Sequence, residues 1–218
     1  RDEGIHTGYL LSYKKDDFLQ VLQKEFWIHL ITANLAALSL LALLYHFLHA
    51  RLLFERIATT DKLTGVYNRH KFYEVAEIEA GRSRRHGRPF SIIIFDIDHF
   101  KKINDRYGHG VGDYLLAAVA ALVKKHIRKY DLLFRWSGGE FLILAPETDA
   151  QGAYKLAEKI RKLIFGFSFE EVGRVTVSAG VSQFYPETDM SVDETIKRAY
   201  AALYQSKREG RNKTNVAL

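Results

Sequence analysis

Residues 89–98 read PFSIIIFDID, a β-branched apolar run set off by Gly87 and Pro89 on one side and closed by two acids on the other. Runs of this length between chain breakers form buried strands, so the sequence predicts a central strand that delivers Asp96 at its carboxyl end. Two readings of Asp96 follow. A carboxylate at a strand end, beside a glycine turn whose backbone a ligand can approach closely, suits the presentation of Mg²⁺ to a triphosphate. The plainer reading is a cap for the next helix, a job for which Asp98 is the better placed of the two. Lys101 and Lys102 open that helix, where cations and free backbone N–H groups can meet phosphate oxygens, or else they form a solvated face.

Outward from this strand, 100–107 reads as a short helix and 112–128 as a long one. Residues 132–136 and 141–145 then read as two strands joined through Ser137-Gly138-Gly139. A helix over 150–164 carries apolar Leu156, Ile160, Leu163 and Ile164, with Thr148 and Gln151 spaced as a capping box. A strand over 174–183 follows. The last helix opens at Ser191–Glu194, a second capping box, and stops at Gly210. The order β-α-α-β-β-α-β-α predicts an α+β fold of the ferredoxin-like kind, an antiparallel sheet with helices on one face.

Upstream, residues 26–48 (FWIHLITANLAALSLLALLYHFL) contain no Asp, Glu, Lys or Arg. As a helix at about 1.5 Å per residue they reach roughly 35 Å, enough to cross a bilayer. A buried helix of a soluble protein is the alternative, kept open by His29, Asn34 and His46. The all-round apolar surface and the interfacial positions of Trp27 and Tyr45 point to the span. Arg51 and Arg56 follow it, whereas Lys14, Lys15, Asp16, Asp17, Lys24 and Glu25 precede it, a mild asymmetry in favour of a cytoplasmic carboxyl-terminal side. Residues 1–25 read as the last strand and helix of a preceding extracytoplasmic sensor region. With Arg1 in first place and no signal peptide, the chain reads as a fragment or processed product. Residues 49–60 form a helical linker, and the turn signal Asp61-Lys-Leu-Thr64-Gly65 opens a globular domain over 61–218.

Composition narrows the chemistry. The 218 residues hold 47% hydrophobic residues and no cysteine, enough for one core and none for a disulfide or thiolate site. The formal charge of +6 suits phosphorylated ligands or an anionic membrane surface. A basic stripe with interleaved stacking aromatics is lacking, which argues against nucleic acid.

Four motifs then occur in order: DxLTGxxNRxxF from Asp61, FDIDHFKKINDRYGHGVGD from Phe95, RWSGGEF from Arg135, and Lys207-xx-Gly210-Arg211-Asn212. With them, the chain over about 57–213 resembles a GGDEF-domain diguanylate cyclase. The resemblance implies a homodimer in which each copy holds one GTP and the two are joined into cyclic di-GMP with release of pyrophosphate. It implies that Asp96 and the Ile97 carbonyl hold Mg²⁺ or Mn²⁺, that Asn104 and Asp113 read the guanine edge, and that Lys101, Lys207 and Arg211 meet phosphates. Ser137 and Gly138 would bring backbone against the nucleotide, with Lys101 and Glu140 as catalytic residues. Arg128-Lys-Tyr-Asp131, five residues before the turn, resembles the family's inhibitory product site for cyclic di-GMP, although an Arg/Asp surface pair of no consequence has the same spelling.

The turn departs from the family pattern. Gly-Gly-(Asp/Glu)-Glu-Phe is replaced by Ser137-Gly138-Gly139-Glu140-Phe141, so the second metal carboxylate implied by the resemblance is absent at Gly139. Glu140 remains, but adjacent strand side chains point to opposite faces, so compensation is expected to need a local rearrangement. The sequence thus predicts an impaired cyclase, with a non-catalytic module that binds cyclic di-GMP or GTP and signals through dimerisation as the alternative.

Overall fold

The computed structural model describes residues 3–217, with side chains described at 17–51 and 59–217. Arg1, Asp2 and the side chains of Lys14, Lys15, Asp16 and Arg56 lie outside the described residues. The chain divides into two compact units, Arg1–Phe54 and Glu55–Leu218.

The first unit is helical. Helix α1 (Glu3–Thr59) begins where the sequence suggests a closing strand, so that strand is absent. Within it, Asp17–Arg51 is a 35-residue stretch long and apolar enough to cross a membrane by length and composition, with none of its most apolar window buried. Its polar side chains turn back on their own helix. Thr32 Oγ1 donates to the His29 carbonyl (3.0 Å), Asn34 Nδ2 to Leu30 (2.7 Å) and Ser39 Oγ to Leu35 (2.8 Å), which lowers the cost of placing them in an apolar medium.

In the second unit the elements run α2 (Arg69–His86), β1 (Phe90–Ile97), α3 (Phe100–Tyr107), α4 (His109–His126), β2 (Leu132–Ser137), β3 (Glu140–Pro146), α5 (Ala150–Gly166), β4 (Ser168–Phe169), β5 (Gly173–Arg174), β6 (Val177–Gln183), α6 (Val192–Arg208) and β7 (Thr214–Ala217). Five strands form one sheet in the order β2-β3-β1-β6-β7. All its pairings are antiparallel except β6 with β7, which makes the sheet mixed. A small β4–β5 hairpin takes up the start of the strand expected over 174–183.

Helices cover both faces, not one. Odd positions of β1, Ile93, Phe95 and Ile97, pack with Leu115, Val119 and Val123 of α4 and Ile160 and Ile164 of α5. Even positions, Phe90, Ile92 and Ile94, pack with Phe72, Ala76 and Ala80 of α2 and Ile196, Ala199 and Leu203 of α6. A strand apolar at every position needs this two-sided cover. Helix α6 lies close on β6 because Gly180 has no side chain there; a Cβ would come within 2.1 Å of the Ala199 carbonyl oxygen.

The caps differ in detail from the sequence reading. Asp149, not Thr148, caps α5 by accepting from the Gly152 N–H at 2.7 Å. Ser191 sits at the N-cap of α6 without a side-chain bond, and Glu194 accepts from the Met190 N–H at 2.8 Å. Helix α2, missed by the sequence reading, is capped by Asn68, which accepts from the Lys71 N–H at 3.0 Å, and ends at left-handed Gly87.

Candidate active site and product cavity

Asp96 stands at the end of β1, in register with Glu140 of β3 and Ser178 of β6. Directly paired strand residues share a face, so Asp96 and Glu140 both emerge toward α6. Lys207, in the last turn of α6, places Nζ 2.7 Å from Asp96 Oδ2. Burial pushes the Asp96 carboxyl above the usual carboxylate range; Lys207 opposes this, and nearby Glu140 and Asp98 add to it. The helix-cap reading fails for Asp96 and for Asp98 alike. The N-cap of α3 is His99, in the left-handed region at φ 60° and with no side-chain cap bond.

Glu140 is on the Asp96 face without any rearrangement, contrary to the opposite-face expectation. What restrains it is hydrogen bonding. Ser137 Oγ donates to Glu140 Oε2 at 2.7 Å and the Tyr200 hydroxyl donates to the same oxygen at 3.0 Å. The Tyr200 hydroxyl is pushed above the usual tyrosine range, first by burial and then by the Glu140 charge. Gly139 faces Oδ1 of Asp96, the oxygen that Lys207 does not engage. A Cβ there would lie 2.8 Å from Asp96 Oδ1 and 3.1 Å from Phe100 Cβ, so a side chain at 139 would start out toward Asp96. Arg135 closes the turn from behind by donating to the Gly138 carbonyl. Burial lowers the Arg135 pKa, and the nearby charges of Asp61 and Asp113 work against that fall.

A cavity of about 430 Å³ brings together Asp96, Ile97, Lys101, Ser137, Gly138, Glu140, Lys207 and Arg211. Asn104 and Asp113 are not among its lining residues. Asn104 packs against Gly112, with Oδ1 buried and unpartnered among the described residues, and Asp113 is exposed on α4, just past its first turn. The sequence alone assigns no role to Tyr200 or Arg135. Arg135 lies within a quoted motif, whereas Tyr200 joins the turn from a helix 60 residues on and leaves no local signal.

Arg128 and Asp131 lie at the other end of the sheet. A cavity of about 920 Å³ is lined by both, by Pro89 before β1 and Pro146 at the end of β3, and by Arg82, His86 and Arg88 around the end of α2. At about 3.3 Å per residue, the length of β1 separates the two cavities by roughly 20 Å. Asp131 does not form a surface ion pair with Arg128. It is 6% exposed and accepts from the Arg128 backbone N–H at 2.9 Å, which leaves the Arg128 guanidinium without an ion-pair partner among the described residues. Burial raises the Asp131 carboxyl and the neighbouring Arg128 lowers it. Arg82, His86 and Arg88 escaped the sequence reading because the helix that brings them here did.

No cluster of three or more His, Asp or Glu ligands is present among the described residues. The donors at Asp96 nevertheless fit a Mg²⁺ ion that arrives with a triphosphate, since such ions take one or two carboxylates plus phosphate oxygens and waters. Oδ1 faces the open turn, and Oδ2 is engaged by a lysine that can pass to a phosphate.

A mixed sheet flanked by helices, with an acid at the end of its central strand and a glycine hairpin beside it, is the arrangement that the resemblance to a GGDEF domain implies, and comparison agrees. The family model for "Diguanylate cyclase, GGDEF domain" matches residues 58–213. Diguanylate cyclase DgcM of Escherichia coli (strain K12) is 40% identical over 163 residues, 75% of this chain and 39% of DgcM. The coiled coil and GGDEF domain of DgcB from Caulobacter crescentus, solved in complex with c-di-GMP, has 29% identity and a TM-score of 0.78 over 86% of this chain and 99% of that one. The active GGEEF domain of a diguanylate cyclase from Vibrio cholerae has 34% identity and a TM-score of 0.66 over 69% of this chain and 97% of that one. The chain belongs to the GGDEF-domain diguanylate cyclase family. It spans about two fifths of the length of DgcM.

Proposed function

We propose that this protein is a diguanylate cyclase whose turnover is held down by Gly139. The observation that carries the reading is the Asp96–Lys207 ion pair of 2.7 Å at the mouth of a cavity that also presents Lys101 and Arg211. One partly buried carboxylate with three cations around the same cavity is a site for a metal-bound polyphosphate. In this reading Asp96 and the Ile97 carbonyl hold Mg²⁺ or Mn²⁺, and the metal supplies charge neutralisation as the pyrophosphate leaves. Lys207 exchanges Asp96 for a phosphate oxygen, Lys101 and Arg211 bind the rest of the triphosphate, and Ser137 and Gly138 let the backbone approach it. Asn104 and Asp113 hydrogen-bond the guanine edge.

Two copies face each other, each holding one GTP. The 3′-hydroxyl of one nucleotide attacks the α-phosphorus of the other, the bond to pyrophosphate breaks, and Glu140 is assigned the hydroxyl proton. With Gly in place of the third residue of the GGEEF signature that the Vibrio cholerae domain carries, the second metal carboxylate is missing and the phosphoryl step slows. Each 1.4 kcal/mol of lost transition-state stabilisation costs about tenfold in rate.

The second reading is a non-catalytic module that binds cyclic di-GMP. The 920 Å³ cavity with its free Arg128 guanidinium favours it, and DgcB was solved with that ligand. Under either reading residues 26–48 cross the bacterial inner membrane once, 1–25 end an extracytoplasmic region, 49–60 link, and 61–218 lie in the cytoplasm. Membrane fractions that keep the chain after alkaline washing support the span, and release into the wash counts against it.

Nucleotide titration tests the site. The full chain in detergent micelles is expected to bind GTP at least about tenfold more tightly than ATP, as a site that hydrogen-bonds a particular base edge should. Asp113→Ala should erase the preference. Equal affinity for the two nucleotides in the unaltered chain would refute the guanine assignment.

A further inference from the structure

We propose that Asp98 is a positioning residue, which holds the turn at 210–212 so that Arg211 enters the Asp96 cavity. The inference rests on the reading of Arg211 as a phosphate contact. Asp98 is 5% exposed and both of its oxygens are engaged. Oδ1 accepts from the Ser178 hydroxyl at 2.7 Å, and Oδ2 accepts from the Thr176 hydroxyl at 2.6 Å and from the Asn212 backbone N–H at 3.1 Å. Three donors from three places in the chain thus converge on one side chain.

The turn so held is strained. Gly210, Arg211 and Asn212 have φ of 105°, 64° and 46°, and two of these consecutive residues bear side chains. Such a run persists only where its surroundings over-determine it, and strain of this kind gathers at ligand clamps. The surroundings here converge from several elements. The Arg211 N–H donates to the Ser206 carbonyl at 3.0 Å, and the Ala179 N–H donates to that of Lys213 at 2.9 Å. Arg161 Nη1 donates to Asn212 Oδ1 at 2.8 Å. Asp98 ties this turn to the end of β1, two residues beyond Asp96. The carboxylate at 96 and the cation at 211 are thereby fixed to one support, and both line the same cavity. The plain alternative, a buried acid that merely satisfies two hydroxyls, leaves the bond to Asn212 and the strained backbone without purpose.

A double-mutant cycle separates the two. Binding of a GTP analogue with a methylene bridge between its α- and β-phosphates is measured by calorimetry with Mg²⁺, on the full chain in detergent micelles. Arg211→Ala and Asp98→Asn are each expected to weaken binding about tenfold, and the double variant to bind no more weakly than Arg211→Ala alone. Wild-type affinity in Asp98→Asn, or losses that multiply to about a hundredfold in the double variant, would overturn the positioning role while leaving the phosphate site intact. Wild-type affinity in Arg211→Ala would sink the phosphate reading and this proposal together. Should Asp98→Asn fail to fold, amide exchange in the unaltered chain decides. The Asn212 N–H should exchange much more slowly than an open turn, and exchange at the rate of exposed backbone would refute the clamp.

Discussion

Returning a carboxylate to position 139 by Gly139→Glu sets two effects against each other, and the geometry gives their sizes. The new Cβ would lie 2.8 Å from Asp96 Oδ1, inside any normal contact, and 3.1 and 3.2 Å from Phe100 Cβ and Cγ. The turn must open by a few tenths of an ångström, and a second negative charge arrives beside a carboxyl already raised by burial and by Glu140. Two carboxylates about 4 Å apart at an effective dielectric of 20 repel by at most about 4 kcal/mol. Lys207 on Asp96 and solvent at the cavity mouth reduce this to about 1–2 kcal/mol, a Tm lowered by roughly 3–6 °C for a domain of this size. Divalent cation should reverse the sign, because the pair then becomes a ligand set. In the reaction, one more preorganised charged group is worth about 3–4 kcal/mol, or a hundred- to a thousandfold in turnover. The assays are thermal unfolding with and without Mg²⁺ and initial rates of cyclic di-GMP formation. A variant with the same Tm response to Mg²⁺ and the same rate as the unaltered chain would show that position 139 does not face the metal, and would move the defect away from Gly139.

Arg128→Ala should weaken cyclic di-GMP binding at least about a hundredfold, since it removes a bidentate cation from the cavity; calorimetry that finds retained affinity rejects the product site. Because the folded carboxyl of Asp96 titrates above its unfolded value, its burial disfavours folding once pH exceeds the ordinary carboxylate range. Asp96→Asn is therefore expected to unfold at a higher temperature than the unaltered chain at pH 7, with the gap closing as pH falls through that raised pKa; a gap independent of pH contradicts the assignment. Arg198 donates from Nη1 and Nη2 to the two oxygens of Asp189, which is only 4% exposed. Its loss in Arg198→Ala should cost about 3 kcal/mol, read by urea unfolding, and a cost under about 1 kcal/mol would show that Asp189 is satisfied without it.

Much of this site is legible because its parts are local. The run IIIF between breakers specifies a strand buried on both faces, the Ser137-Gly138-Gly139 spelling specifies a hairpin, and the bounds of α3 fall at residues 100 and 107 as read. The same run already implied helices on both faces, an implication that the ferredoxin-like expectation of one covered face passed over. Helix α2 escaped because its buried stripe is small and sparse, Phe72, Ala76, Ala80 and Ser83, in a segment otherwise crowded with charge. Strand β7 escaped because four residues near the chain end find their partner only through parallel pairing with β6. Asp98 looks like a cap in one dimension, and its partners Thr176, Ser178 and Asn212 lie 78, 80 and 114 residues away. The restraint on Glu140 is likewise invisible until α6 brings Tyr200 to it.

On the proposed function, this chain makes cyclic di-GMP, slowly, from GTP at the Asp96 cavity. Incubation of the full chain in detergent micelles with GTP and Mg²⁺ or Mn²⁺, followed by mass detection of the product, tests it directly. Cyclic di-GMP and pyrophosphate that accumulate with protein concentration, and vanish in Asp96→Asn, are the predicted result. No product at high protein concentration, together with micromolar binding of cyclic di-GMP, would contradict it and leave the binding module in its place.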